Sequence, residues 1–293
     1  MISETVALSR IGAPRRNEDS RRPTVVIEPS RGLFQLHLGD VWRYRELLFF
    51  LVWRDVKVRY KQTVLGATWV GLQPLAMMAI FTVVFRRFAA VPSDGFPYPL
   101  FAFTALLPWM YFSQVISLSG PSLVNNGSLI TKVYFPRLII PLATTMTPVV
   151  DLVVGFTLLA GLMLWFGVAP NAGVVFLPLF LLLAMMTALA VSLVLTALNV
   201  RYRDVGYTIP FIVQFWMYAT PVAYPVSVVP EQWRLLYSLN PMVGVIEGFR
   251  WALLGHHRPD VAAMMVGAAA VAVLLVAALV FFKRMERTFA DVL

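Results

Sequence analysis

Beyond residue 62 the chain alternates long apolar runs with short polar ones. Six of these runs approach or exceed the roughly 20 residues that cross a hydrocarbon core of about 30 Å. The pattern predicts membrane spans at about 65–85, 100–118, 138–166, 174–200, 209–224 and 261–282. The third is long enough to tilt. The fifth is short and is interrupted by Pro210, Pro221 and Pro225. A membrane β-barrel would instead show alternating segments of about 10 residues. The continuous runs predict an all-α polytopic membrane protein with six transmembrane helices.

Two further segments have helical periodicity without being spans. Residues 40–62 place Trp42, Phe49, Trp53, Val56 and Tyr60 at roughly helical spacing among Arg, Lys, Asp and Glu. That composition suits an amphipathic helix lying in the membrane interface, with rings at the acyl boundary and cations at headgroups. A soluble amphipathic helix packed on a partner is the other reading, and the span that follows directly favours the interface. Residues 226–257 are too polar for a full span, yet "LNPMVGVIEGFRWALLG" keeps helical periodicity. They predict short re-entrant or exit-side helices before the last span. The domain map is therefore a disordered tail at 1–39, an interfacial helix at 40–62, one membrane domain at 63–287 and a short C-terminus at 288–293. Glu4, Glu18, Asp19 and Glu28 argue against an organellar transit peptide at the N-terminus.

Composition sharpens this picture. The 293 residues are 59% hydrophobic and 13% charged, against about 45–50% and about 25% in a soluble domain. A net charge of +9 would suggest nucleic acid in a soluble protein. In a membrane protein it reads as cations gathered on one side. With the N-terminus inside, nineteen of the 24 Lys and Arg fall on the inner side. Without residues 1–31 the ratio is still thirteen to five. Both termini are expected in the cytoplasm, and no nucleic-acid partner is expected. The absence of cysteine excludes disulfides and thiolate metal sites.

Candidate chemistry is sparse. No phosphate-cradling G-x-x-x-x-G-K-[ST] occurs, and neither do G-x-S-x-G or H-E-x-x-H. The pair His256 and His257 lacks acids or cysteines at ligand spacing, so no metal site is expected. No catalytic residue is expected either. Asp151 is the acid within a span, where an uncompensated charge costs roughly 2.5–3.5 kcal/mol. A polar site on a transport path and a buried contact between helices are both open readings. Gln73, Gln114 and Gln214 suggest hydrogen bonds between helices. Glu247 and Arg250 are three apart on one helix face and would orient the exit-side helices. Phe81, Phe85, Tyr98, Trp109, Tyr111 and Phe112 belong to a dense aromatic stretch. It reads either as an interfacial belt or as a lining on which sugar rings stack. Arg54, Lys57, Arg59 and Lys61 are candidates for a lipid headgroup or a diphosphate.

An ordered set of phrases then carries a resemblance: "WRDVKVRYKQTVLGATWVGLQP", "VPSDGFPYPLFAFTALLPWMYFSQ", "LITKVYFPRLIIPLA", "ALNVRYRDV", "ATPVAYP" and the "LNPMVGVIEGFRWALLG" quoted above. Over about residues 45–287 the chain resembles the permease subunit of type-2 ABC exporters. The similarity is to the polysaccharide branch that exports O-antigen or lipopolysaccharide, related to capsule and teichoic-acid exporters. Thr220 stands where many relatives have Ser, which keeps the hydroxyl. The resemblance implies a homodimer, two separate ATPase subunits that hold ATP and Mg²⁺, and a lipid-linked polysaccharide cargo. It also implies a coupling helix at about 125–137. Asn125, Asn126, Leu129 and Lys132 would dock on the ATPase, with Tyr134, Phe135 and Arg137 at the membrane interface. A lining partly built from aromatics is a further implication. A type-2 exporter of another cargo, such as a drug or lipid, shares the fold and is the alternative.

Overall fold

The computed structural model of the protein describes residues 38–61, 66–255, 260–287 and 289. The expected tail up to residue 37, the histidine pair and most of the C-terminus lie outside them. Among the described residues there is helix and no strand. The expected interfacial segment forms two helices, α1 (Leu38–Arg43) and α2 (Arg45–Lys61), divided at Tyr44. The first span is α3 (Gly66–Phe81), which widens into a π-helical turn at Thr82–Phe88. The second is α4 (Tyr98–Ser119). Two short helices follow, α5 (Ser122–Asn125) and α6 (Gly127–Lys132).

The third span is split into α7 (Ile139–Met146) and α8 (Val149–Trp165). Pro148 explains the break, because it has no N–H to donate and crowds the preceding turn. A 3₁₀ turn at Ala172–Phe176 leads into α9 (Leu177–Arg201), the fourth span. The expected fifth span is only α10 (Val205–Tyr218). Its 14 residues rise about 21 Å at 1.5 Å each, short of a hydrocarbon core. Among the described residues five helical segments are long and apolar enough to cross a membrane, and α10 is not among them. α10 ends at Tyr218, where the Pro221- and Pro225-containing turn begins.

The segment before the last span is helical, as its periodicity predicts: α11 (Glu231–Tyr237) and α12 (Pro241–Leu254). Asn240 caps α12 by accepting from the Met242 N–H at 3.2 Å, with Pro241 in the first turn. Gly255 ends it at φ 72°, a left-handed position that favours glycine. The last span, α13 (Val261–Glu286), is capped by Asp260 accepting from Ala262 N–H at 2.9 Å.

α4 is the centre of the molecule. It touches α3, α7, α8, α9, α10 and α12, and most of its surface is buried. Phe101, Phe103, Phe112 and Phe180 sit in the main apolar cluster, with Phe249 of α12. A second cluster gathers Leu51, Phe135, Ile139, Phe282 and Phe289, joining α2, α7, α9 and α13. α12 approaches α9 closely because Gly248 has no side chain. A Cβ there would stand 2.2 Å from the Phe180 ring. Gly248→Ala is expected to lower stability by about 1–3 kcal/mol through overpacking. Thermal unfolding in detergent would measure this, and Phe180→Leu in the same chain is expected to recover part of the loss.

Candidate functional site

Three residues at the C-terminal half of α2 reach away from their own helix. Arg54 Nη2 donates to Asn126 Oδ1 at 3.0 Å, and the same guanidinium pairs with Asp55 at 2.8 Å. Arg59 Nη1 pairs with Asp151 Oδ2 at 2.8 Å. Tyr60 donates its hydroxyl to the other oxygen, Asp151 Oδ1. Burial, and then the hydrogen bond to Asp151, push the Tyr60 hydroxyl pKa up, so it stays a donor. Both carboxylate oxygens of Asp151 are thus satisfied from α2. The intramembrane acid is therefore a contact between helices. Arg59 is committed to Asp151 and Arg54 to Asp55 and Asn126, while Lys57 and Lys61 are exposed. Of the four expected headgroup cations, only those two lysines stand unpaired among the described residues.

The rest of α2 is divided between protein and surroundings. Leu51 is buried, with Leu47, Leu48 and Val52 packed on the second cluster. Trp42, Phe49 and Trp53 are exposed. Phe49 and Trp53, four apart, lie on one face of α2, and Trp42 belongs to α1 beyond the break at Tyr44.

The loop after α4 is held at both ends. Asn126 accepts from Arg54 and donates its amide to Ser122 O at 2.8 Å. It therefore faces α2. Leu129 is partly buried, and Phe135 is buried in the second cluster. Arg137 Nη1 donates to Glu286 O at 2.6 Å, and its guanidinium lies 5.9 Å from the Phe289 ring. Asn125, Lys132 and Tyr134 remain exposed, Tyr134 at 70%. The loop is thus a rigid protrusion tied to the N-terminal and C-terminal helices, with a cation and a ring at its tip.

Behind the Arg59–Asp151 pair lies a cavity of about 590 Å³ between α3, α4, α8 and α10. Trp69, Gln73, Ser113, Gln114, Ser117 and Val213 help to line it. The glutamines were expected to bond across helices. Among the described residues no hydrogen bond of the Gln73 or Gln114 side chain is found, and both face this cavity.

At the opposite end of the bundle Arg250 is completely buried. Nη1 contacts Glu247 Oε1 at 3.2 Å and Tyr224 O at 3.2 Å, and Nη2 donates to Val222 O at 3.0 Å. Its guanidinium lies 3.7 Å from the Phe101 ring centre. Tyr98 donates to Ala223 O at 2.7 Å. Asn240 donates to Ala219 O at 3.1 Å and to Thr220 Oγ1 at 2.9 Å, while accepting from Trp216 Nε1 at 3.1 Å. The "ATPVAYP" turn is therefore clamped from α4 and α12. Tyr237 shares a 2.9 Å hydroxyl contact with Tyr224. Burial, and then that contact, raise its pKa.

Phe81, Tyr98, Trp109, Tyr111 and Phe112 are at most 5% exposed within one protomer. Phe85 is partly buried and packs edge-on against Phe81 at 5.2 Å. Within one protomer these rings pack into the main apolar cluster or against it. The sequence signal was density, and density alone does not separate a core from a lining. The rings that do face outward include Trp69, Tyr207, Phe211 and Phe215. Sequence reading also missed a buried hydroxyl network. Ser192 donates to Ser119 Oγ at 2.6 Å, Thr196 to Ser119 O at 2.8 Å, and Ser119 lies 3.3 Å from Thr144 Oγ1.

Among the described residues the chain is a helical bundle, and five of its helical segments are long and apolar enough to cross a membrane. The chain belongs to the ABC-2 type transporter family, which matches residues 46–254. It is 33% identical over 258 residues to the O-antigen export system permease protein RfbA of Myxococcus xanthus, covering 86% of this chain and 97% of the relative. A Klebsiella pneumoniae protein of the same name is 27% identical over 206 residues, 70% of this chain and 79% of the relative. The polysialic acid transport protein KpsM of Escherichia coli is 21% identical over 203 residues, 69% and 78% of the two chains.

Arg59→Ala leaves Asp151 with Tyr60 as its sole partner. The pair is partly solvated, so the expected loss lies between those of surface and buried pairs, about 1–2 kcal/mol. Thermal unfolding in nanodiscs would read it. Asp151→Asn combined with Arg59→Ala is expected to recover part of the loss.

Proposed function

We propose that the protein is the membrane subunit of an ATP-driven exporter that carries a lipid-linked, O-antigen-like polysaccharide across the bacterial inner membrane. The observation that carries this reading is the match to RfbA along nearly that protein's whole length. The more distant match to KpsM supports the same machinery with another polysaccharide as the second reading. Two copies of this chain and two ATPase subunits form the transporter. ATP and Mg²⁺ belong to the ATPase, in keeping with the missing phosphate loop in this sequence. Both termini face the cytoplasm, as the distribution of Lys and Arg supports.

The mechanism follows from the ties already described. ATP binding favours the closed ATPase dimer, and its differential affinity for two states supplies the shift. The exposed tip, with Asn125, Lys132 and Tyr134, meets the ATPase. Movement of the tip reaches α2 through Asn126 and Arg54, and the last span through Arg137. It reaches α8 through Arg59 and Asp151. The lipid diphosphate approaches the side that carries α2, where Lys57 and Lys61 are exposed.

Two measurements test this. Deleting the gene is expected to abolish surface display of the glycan, and normal display in a strain without a paralogue overturns the reading. In proteoliposomes with the ATPase, Lys132→Glu with Tyr134→Ala is expected to leave ATP hydrolysis intact and to cut export about tenfold or more. Unchanged export removes the loop tip from the coupling path.

A further inference from the structure

Phe289 follows a run of charges at the end of the last span: Lys283, Arg284, Glu286 and Arg287. A ring at such a place ordinarily rests at the lipid surface. This one is 0% exposed and belongs to the second apolar cluster. It meets the Phe282 ring edge-on at 5.6 Å. The chain after α13 therefore folds back onto protein, and what it folds onto is the base of the loop that follows α4. Phe135 is buried in the same cluster, with Leu123 of α5 and Ile139 of α7. The Arg137 guanidinium lies 5.9 Å from the Phe289 ring centre, on the scale of a cation–π contact.

Arg137 Nη1 also donates to Glu286 O at 2.6 Å. Glu286 is the last residue of α13, where carbonyls lack partners within the helix and the dipole favours a cation. One hydrogen bond to a helix end that frays fixes no direction. The buried ring supplies a second contact, and the two together seat the guanidinium. Tyr134, the exposed ring at the loop tip, precedes Phe135 directly. Holding Phe135 and Arg137 therefore sets the direction in which Lys132 and Tyr134 project. The loop's other tie, Arg54 to Asn126, is shared with Asp55 and partly solvated, so it can exchange partners. The seat at Phe289 is the stiff one. We propose that Phe289 is a positioning residue for energy transfer: buried in one cluster with Phe135 and beside Arg137, it seats the loop on the end of the last span. Displacement of the tip then moves the span and is not lost as swinging of the loop. The proposal rests on the exporter reading above and deepens it, because it assigns transmission to a buried ring behind the loop.

The test uses the full chain assembled with its ATPase in proteoliposomes, loaded with the strain's own lipid-linked glycan. Glycan exported is divided by ATP hydrolysed, per assembled transporter. Phe289→Ala is expected to lower that ratio about fivefold, the low end of usual coupling between sites, with hydrolysis unchanged. In the same complex the backbone amides of residues 127–135 are expected to exchange hydrogen several-fold faster. Phe289→Leu keeps much of the apolar volume but offers no ring to Arg137, and is expected to fall between. It also carries the comparison if the alanine variant does not assemble. A ring with a purely structural role would lower assembly and leave the ratio alone, so an unchanged ratio overturns the proposal. So does a fallen ratio with unchanged exchange, which would put the ring on a route other than the loop. Failure of the unaltered chain to export removes the exporter reading instead, and this inference falls with it.

Discussion

Hydrocarbon offers no hydrogen bonds, so each polar group between the spans must find its partner inside the protein. That constraint orders the whole structure. Asp151 is met twice from α2. Arg250 is met by two carbonyls, a carboxylate and a ring. Ser119, Thr144, Ser192 and Thr196 meet one another. Each solution joins segments far apart in sequence, so satisfying a polar group also fixes the arrangement of helices. Leaving one partner of such a group unmatched costs far more than the contact itself contributes.

The two ends of the bundle use this constraint differently. Around Arg250 the partners are mostly backbone carbonyls of the Val222–Tyr224 turn, whose positions are fixed by the chain. That end is a static clamp on a turn that proline prevents from being helical. Around Asp151 the partners are long side chains of α2, partly open to solvent and free to adjust. Together with the Arg54–Asn126 bond, they make α2 the element through which the loop and the spans sense each other. The cleft lined by Gln73 and Gln114 opens beside this adjustable end, with Arg59 and Asp151 in its wall.

Much of this was legible in the sequence. Apolar run length located the five long spans, and helical periodicity located α12, whose ends Asn240 and Gly255 cap. The pairing of Glu247 with Arg250 followed from a spacing of three. What was not legible depended on partners distant in sequence. Asp151 signalled a need, but nothing local named Arg59 and Tyr60, some 91 residues earlier. The aromatics of α4 read equally as core or lining, because a helix buried on all sides has no polar face to give periodicity. Ser119 and its neighbours were silent, since serine and threonine in a helix can satisfy themselves on the preceding turn. The shortness of α10 was visible in its prolines, yet a hydropathy window counts the apolar turn after it as though it were helix.

The break at Thr147–Pro148 has a mechanical consequence. A continuous helix resists bending because its hydrogen-bond ladder must stretch, whereas a helix split by proline has already given up part of that ladder. Left alone, the third span would be a rod with a soft joint. α2 packs along α7 on one side of the joint and is ion-paired to α8 on the other. It acts as a splint. The stiffness at this break is therefore shared between α2, through packing on α7 and an ion pair to α8, and α4, which contacts both halves.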